Sequence, residues 1–389
     1  MIYLDAASTA KYRNVDDIIV DTITTAMRDS WQNPSSLYAT NIKCKIDKCR
    51  ANIADFIGAN ADEIYFTSGA SESNNMAIRG WVDEICMADE EDPFTNMPYI
   101  ITTQIEHKSI LSLLDNDALI CFRHECAVND CGRVVLESLE QLLQTYKNEH
   151  VLVSICMANN EIGTIQDIEK ISELVHKYGG ILHTDATQAL GHIPIDVEKL
   201  GIDMMSCSGH KISPVLRGIG FLYKKNGIDI RPLIHGTQEN KLRGGTENTY
   251  GIIGLSKAIE YCDMSNDKTN ELCNKRDYFI KLLESKFNCK LNGDKLSRLP
   301  NNINVTFSQN ITGESLLYML DLSGIKIATA SACNSRAITP SHVLTSIGLT
   351  NEQALRSIRL TLPNDITYED INSVVKEIEK AIMLIEMET

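Results

Sequence analysis

Between residues 63 and 223 the sequence alternates between short apolar runs typical of strands and patterns typical of helices. Strand candidates are 63–67, 99–103, 119–122, 151–157, 181–184, 203–207 and 219–223. Helical patterns fit between several of them, for example 136–145 and 168–178. Because strands that alternate with helices form βαβ units, the pattern predicts an α/β fold with a mainly parallel sheet. Ligands of such sheets bind outside the carboxyl ends of the strands.

The pattern changes after about residue 260. A long helix is predicted over 268–286, an alternating strand over 302–307, a helix over 314–320 and a final helix over 368–387. We therefore predict a large domain over residues 15–260, and a smaller α+β domain formed by 1–14 and 261–389. A loop of small residues, 328–335, belongs to this second domain.

Composition narrows the class of protein. The chain has 389 residues, 43% of them hydrophobic, which is enough for two or three domains with large cores. Its formal net charge of −15 argues against direct nucleic-acid binding, which needs clustered Lys and Arg. Neither a secretory leader nor an apolar run of membrane length is recognisable, so we expect a cytoplasmic protein and no membrane partner. None of the 12 cysteines has the Cys-x-x-Cys spacing of a zinc site, so no metal is predicted.

One lysine stands at the end of a predicted buried strand. The apolar run 202–205 leads into small and polar residues and stops at Lys211. A lysine at this edge of a sheet loses water, its pKa falls, and its amine can form a Schiff base. The alternative is an ordinary surface lysine.

Two further strand ends carry groups that could bind a cofactor. Ser68–Ser71 opens a helix that we expect to run through Ile78. It can present backbone N–H groups to an anion at this helix start, or can be a common helix start with Ser71 as its N-cap. His183 and Asp185 point to the same side of one strand, which suits either a metal pair or an Asp that contacts the nitrogen of a pyridine ring.

A histidine and a cysteine complete the candidates. His107 follows a strand and could lie over a flat cofactor and move protons, or could be structural. Cys333 stands among small residues, where a nucleophilic thiolate would have access; the alternative is a packed cysteine in a tight loop.

Taken together, these residues resemble the NifS/IscS-type cysteine desulfurases of the class-V aminotransferase family. The resemblance runs from Tyr3 to about Leu362 and depends on nine stretches in the family's order. These are Gln32–Ser36, Phe66–Asn74, Glu106–Lys108, Asn159–Gly163, Asp185–Gln188, Ser208–Lys211, Arg243–Asn248, Ser331–Cys333 and Ser357–Arg359. The resemblance implies a fold-type I enzyme that binds pyridoxal 5'-phosphate (PLP). Such enzymes have a large domain with a mainly parallel seven-stranded sheet between helices, and a smaller α+β domain.

The resemblance also implies a role for each site residue. Lys211 would hold PLP as a Schiff base and later take the Cα proton, Asp185 would keep the pyridine nitrogen protonated, and His107 would stack on the ring. The phosphate would be held by Ala70, Ser71, Ser208 and His210, with Thr246 from a neighbouring subunit. The phenolic oxygen would be held by Gln188 and Asn160, and the substrate carboxylate by Arg359 with Asn33 and again Asn160.

The implied reaction converts L-cysteine to L-alanine and leaves a persulfide on Cys333. A homodimer would then pass the sulfur to acceptor proteins in iron–sulfur cluster assembly or in tRNA or DNA sulfur modification. Two alternatives stay open: a selenocysteine lyase or other class-V PLP reaction, and a non-catalytic sulfur-transfer scaffold.

The chain departs from the family in two loops and in the segment Asp5–Ala10, which lacks the family's usual proline. The segment Ile212–Arg217 after the lysine lacks the family's Gly-Pro and is longer by one residue. Ala330 stands where a glycine is common, which predicts a stiffer loop around Cys333.

Overall fold

The computed structural model describes residues 1–87, 97–116, 119–329 and 339–388. Its largest sheet has seven strands in the order β2-β8-β7-β6-β5-β3-β4. They are β2 (Ile64–Thr67), β3 (Tyr99–Thr102), β4 (Phe122–Glu125), β5 (Val151–Ser154), β6 (Ile181–Asp185), β7 (Met204–Ser208) and β8 (Gly220–Lys224). Only β8 runs against the others, pairing antiparallel with both of its neighbours. The prediction of a mainly parallel seven-stranded sheet is therefore confirmed.

Helices cover both faces of this sheet because successive strand side chains point to opposite sides. On one face Phe66 and Val153 pack in a core with five helices; on the other, Tyr65 and Leu152 pack against α3 and α4. The first group is α1 (Asn14–Asp29), α2 (Thr40–Ile57), α5 (Leu136–Thr145), α6 (Ile168–Lys177) and α7 (Thr249–Glu260), and the second is α3 (Ala70–Cys86) and α4 (Lys108–Leu114).

A second region has its own sheet and its own core. Strands β12 (Ala328–Thr329), β13 (Ser357–Thr361), β10 (Asn302–Phe307) and β9 (Cys289–Leu291) form an antiparallel sheet in that order. Near its edge, β1 (Ile2–Tyr3) pairs with β11 (Ile325–Lys326). The helices of this region are α8 (Asn266–Lys286), α9 (Gly313–Leu322), α10 (His342–Ser346), α11 (Asn351–Leu355) and α12 (Tyr368–Glu388). The domain boundaries at 15–260 and 261–389 stay a prediction.

Three local predictions were wrong. The strand expected over 119–122 is found at 122–125, as β4. The apolar residue Leu119 packs into the core, while the polar segment 122–125 forms the outermost strand of the sheet. Gly69, not Ser71, is the N-cap of α3, and Ser71 lies inside the first turn. That helix also runs to Cys86, beyond the predicted end at Ile78.

Within the described ranges, no helix combines the length and the apolar character needed to cross a lipid bilayer.

Candidate active site

The predicted lysine lies where the sequence places it. Lys211 ends a short 3-10 turn, Gly209–Lys211, that follows β7 directly. Its Nζ donates to the carbonyl oxygens of Ala7 and Ser8 at 2.7 and 2.9 Å. These acceptors come from the start of the chain, so the N-terminal segment passes over the lysine.

Asp185 ends the neighbouring strand β6 and pairs in register with Ser206 of β7. The Asp185 carboxylate is buried, and it accepts from Asn74 Nδ2 at 2.8 Å and from the backbone N–H of Thr187 at 2.9 Å. Each bond uses a different carboxylate oxygen, so both oxygens keep a lone pair for a further donor. Asn74 Oδ1 is buried without a hydrogen-bond partner among the described residues, which marks this as an incompletely filled polar site.

His107 follows β3 and is the N-cap of α4. Its Nδ1 accepts from the backbone N–H of Ser109 at 3.1 Å. The ring reaches solvent on one side, yet burial by the surrounding protein lowers its pKa, and the positive charge of Lys211 lowers it further. Asp185 acts in the opposite direction. A neutral imidazole near neutral pH is therefore placed within electrostatic reach of both Asp185 and Lys211.

The residue before His107 was not singled out by the sequence. Glu106 is buried and accepts from Thr103 Oγ1 at 2.7 Å and from the backbone N–H of Cys156 at 2.9 Å. Burial raises its pKa to about 7, and the charge of Asp185 adds to the shift although the two hydrogen bonds oppose it. Its position next to His107, inside the recognised stretch Glu106–Lys108, was the sequence signal.

The start of α3, directly after β2, lies against the end of β7. The two segments form a small cradle, which we call the anion cradle after its predicted ligand. A Cβ on Gly69 would lie 3.4 Å from Ser208 Oγ, and a Cβ on Gly220 would lie 2.6 Å from Gly69 Cα. The two glycines therefore allow these backbone segments to approach each other closely. Gly69 also has φ of +152°, which favours glycine. The N–H groups of Ala70 and Ser71 belong to the first turn of α3, where amides have no acceptor within the helix.

His210 completes the cradle. Its Nδ1 and Ser208 Oγ are 2.8 Å apart. Burial lowers the pKa of His210 to about 4, with further lowering by Lys211 and Arg217. The imidazole is therefore neutral at pH 7 and serves as a hydrogen-bonding group, not as a charge.

Arg359 lies on β13, at the boundary between the two sheets. Its Nη2 donates to Asp5 Oδ1 at 2.7 Å and to Ser8 Oγ at 2.9 Å, and its Nη1 donates to the carbonyl oxygen of Asn160 at 3.2 Å. The side chain is 10% exposed. We call Asp5, Ser8, Asn160 and Arg359 the arginine corner.

Gln188 connects this corner to the lysine, since its Nε2 donates at 3.1 Å to the same Ala7 carbonyl that Lys211 contacts. The structure thus brings together the strand ends, the anion cradle and the arginine corner.

Two predicted residues, Asn33 and Thr246, do not join this group. Asn33 is exposed, and among the described residues its hydrogen bonds stay within its own loop, where its Oδ1 accepts from Ser35. Thr246 is exposed in a loop fixed by Gln238, which accepts from the N–H of Gly245 at 3.0 Å. Cys333, together with Ala330, lies outside the described residues.

The possible metal pair of His183 and Asp185 is not supported. His183 is buried, with Nδ1 2.9 Å from Ser154 Oγ and Nε2 3.0 Å from Ser206 Oγ. Burial lowers its pKa to about 4. Both ring nitrogens bond serines of the neighbouring strands, so the residue ties β5, β6 and β7 together. Among the residues that the structure describes, no group of three or more metal-ligating side chains occurs.

The unusual segment after the lysine is well packed. Ile212 and Leu216 are buried, and the buried Ser213 donates to the carboxylate of Asp16 at the start of α1. Arg13 donates to the Ile212 carbonyl at 3.2 Å. The segment therefore continues the contact between the N-terminal residues and the lysine turn.

Comparisons with known proteins agree with this geometry. Residues 2–374 match the family described as Aminotransferase class-V. A relative from Dictyoglomus turgidum, named Cysteine desulfurase IscS, is 40% identical over 98% of this chain and 94% of its own length. A solved structure described as a NifS-like protein is 30% identical, with a TM-score of 0.88 over 98% of this chain and 99% of its own. Another, described as SspA in complex with cysteine, is 32% identical, with a TM-score of 0.78 over 94% and 99%.

Proposed function

The chain belongs to the class-V aminotransferase family, among its cysteine desulfurases, and we propose that it is a PLP-dependent enzyme that takes sulfur from L-cysteine. The overall change is balanced: L-cysteine and the Cys333 thiol become L-alanine and a Cys333 persulfide. The carbon–sulfur bond of the substrate breaks, a sulfur–sulfur bond forms, and the thiol proton balances the hydrogen gained at carbon.

One observation carries the proposal: Lys211, Asp185 and His107 meet at the carboxyl edge of three strands of one sheet. A flat phosphorylated pyridine matches the groups that are present. Asp185 offers a carboxylate to a pyridine N–H, the cradle at Ala70, Ser71, Ser208 and His210 offers donors to a phosphate, and Gln188 lies beside the lysine. When bound, PLP supplies an electron sink that stabilises negative charge at the substrate Cα.

Protons are moved by this chain's own side chains. Lys211 is the group that takes the Cα proton, and the carbonyls of Ala7 and Ser8 hold its Nζ when the lysine is not bonded to the cofactor. His107 accepts a proton near neutral pH, because its lowered pKa keeps the ring largely neutral. Arg359 binds the substrate carboxylate, and the backbone carbonyl of Asn160 holds the Nη1 atom of Arg359.

The nucleophile is assigned to Cys333 on the strength of the sequence. The described chain supports its delivery to the site, since Ala328 pairs with Arg359 and Thr329 pairs with Ile358 in β12 and β13. Thr329 is the last described residue before Cys333, so the chain enters the cysteine segment beside the arginine corner.

A homodimer is part of the proposal. Trp31, Leu37 and Tyr38 are 70%, 95% and 78% exposed, an unusual density of large apolar side chains for a free surface. Their loop is joined to the loop of Thr246 through Ser35 and Gln238, 3.4 Å apart. Burial of this surface against a second subunit would carry Thr246 into the neighbouring phosphate cradle. The cytoplasmic location and the sulfur-acceptor proteins are proposed on the sequence alone.

The test is to supply L-cysteine and a reductant and to measure alanine and sulfide. We expect activity in the wild type, none in Lys211→Ala, and none above background in Cys333→Ser. Cys44→Ser is the matched control, because Cys44 is an exposed free cysteine on α2. Full activity of Cys333→Ser would overturn the assignment of the nucleophile, and purified protein without visible cofactor absorbance would overturn the PLP proposal.

A further inference from the structure

The first ten residues of the chain form part of the site. Asp5 forms a bridge with Thr361, and the Leu4 carbonyl accepts from the Thr361 N–H at 2.7 Å, so the segment runs beside β13. The Tyr3 hydroxyl lies between the carbonyls of Asp5 and Thr9, at 3.0 and 2.9 Å, and shares its one hydrogen with these two acceptors, which fixes the bend between them. The bend turns Asp5 and Ser8 towards Arg359.

Asp5 and Ser8 hold one end of the guanidinium together. Both accept from Arg359 Nη2, and Ser8 Oγ also donates to Asp5 Oδ1 at 2.8 Å. Nη1, at the other branch, is held by the Asn160 carbonyl. A planar group that is held at both branches cannot rotate freely, and Arg359 Nε is buried without a partner in the described part of the chain. The orientation of the guanidinium is thus imposed by neighbours before any ligand arrives.

Ser8 contacts both key cations of the site. Its hydroxyl accepts from Arg359, while its carbonyl accepts from Lys211 Nζ. In the proposed reaction Lys211 works at the Cα atom and Arg359 binds the carboxylate one bond away. One residue therefore fixes the spacing between the two groups that must contact adjacent atoms of the substrate.

We propose that Asp5 and Ser8 are positioning residues that orient Arg359 for the substrate carboxylate and thereby set the preference for amino acids over amines. This inference rests on the proposed function. It predicts a loss confined to ligands that carry a carboxylate, since an amine without one makes no use of Arg359.

The test measures binding and turnover in Asp5→Asn and Ser8→Ala holoenzyme. Asp5→Asn keeps the shape but removes the charge, and Ser8→Ala removes one acceptor. Because hydrogen bonds to a charged group are among the stronger ones, we expect the dissociation constant of L-alanine to rise about tenfold in Asp5→Asn and about threefold in Ser8→Ala. It is read from the cofactor absorbance, and KM for L-cysteine should rise in parallel while kcat changes less than about twofold.

Cysteamine, which is cysteine without the carboxylate, separates positioning from a general structural role. We expect its dissociation constant to be unchanged in both variants. The control is Asp115→Asn, which makes the same change in the solvent-exposed Asp115–Arg123 pair, at the end of α4 opposite to His107. If Asp5→Asn does not fold, Ser8→Ala carries the test.

An unchanged or lower dissociation constant for L-alanine would overturn the inference, the lower value showing that Asp5 competes with the ligand. An equal loss for alanine and cysteamine would also overturn it. A wild type that binds alanine but releases no sulfide from cysteine would instead refute the proposed function, and the binding comparison would still decide the role of Asp5.

Discussion

Two parts of the site are positioned in different ways. One is the row of strand ends that carries Lys211, Asp185 and His107, which we call the sheet edge, and the other is the arginine corner. At the sheet edge each side chain follows a strand of one sheet, and the register between adjacent strands, such as Asp185 with Ser206, sets the spacing. In the arginine corner Arg359 contacts Asp5, a residue 354 positions away in the chain. Strand register builds the first region, and contacts between Arg359 and the N-terminal segment build the second. Binding of the cofactor and binding of the substrate carboxylate should therefore respond separately to mutation.

The largest effect is expected from Asp185→Asn at the sheet edge. The amide cannot supply the negative charge that keeps a pyridine nitrogen protonated. Loss of a preorganised group of this kind lowers kcat by roughly 10²–10³-fold. Steady-state kinetics measure it, and kcat within about threefold of wild type would contradict the role of Asp185.

Arg359→Lys in the arginine corner should raise KM for L-cysteine by roughly tenfold or more, because a lysine does not reproduce the planar guanidinium that Asp5, Ser8 and Asn160 hold in place. The affinity for PLP, measured by titrating the apoprotein, should stay unchanged. A parallel loss of PLP affinity would contradict the prediction that cofactor binding and substrate binding respond separately to mutation.

Glu106→Gln tests the buried carboxyl group that precedes His107. The Glu106 pKa is raised from 4.5 to about 7, so between these pH values the folded protein keeps a proton that the unfolded chain has lost. Stability contributed by this proton is complete at low pH and falls as pH rises, by up to about 1.4 kcal/mol per pH unit. Gln cannot ionise, so thermal unfolding between pH 4.5 and 7 should lose this slope. An unchanged slope would show that Glu106 does not titrate there.

The smallest effect is expected from Thr350→Ala in the second region. Thr350 Oγ1 accepts from the N–H group of Gln353 at the start of α11. Loss of such a cap costs about 1 kcal/mol of unfolding free energy. Thermal unfolding measures it, with Ser285→Ala at an exposed helix position as the control. We expect PLP affinity to be unaffected, and a change in it would connect the two regions.

The sequence could predict much of the fold because its strands and helices have strong local patterns. Helix α5 and strand β10 have the bounds expected from periodicity. The edge strand β4 was displaced because Phe122–Glu125 carries polar side chains that an apolar pattern overlooks. Helices α4 and α7 and strand β13 were not predicted as elements at all, although β13 carries Arg359.

The same distinction holds for the site. Lys211, Asp185 and His107 were found because each follows a recognisable strand. Asp5 and Ser8 have no local signal, since their importance depends on contacts with Arg359 and Lys211, hundreds of residues away. Asn74 and Glu106 lay inside recognised stretches, but only the structure shows what they contact.

The contact between Asp5 and Arg359 also affects the order in which parts of the site form during synthesis. A ribosome makes residue 5 first and must add a further 354 residues before its partner exists. Domains generally fold as units during synthesis, N-terminal parts first. The seven-stranded sheet is complete at Lys224, so the sheet edge can form on a nascent chain. The arginine corner cannot, and the substrate site becomes complete only after β13 has left the ribosome.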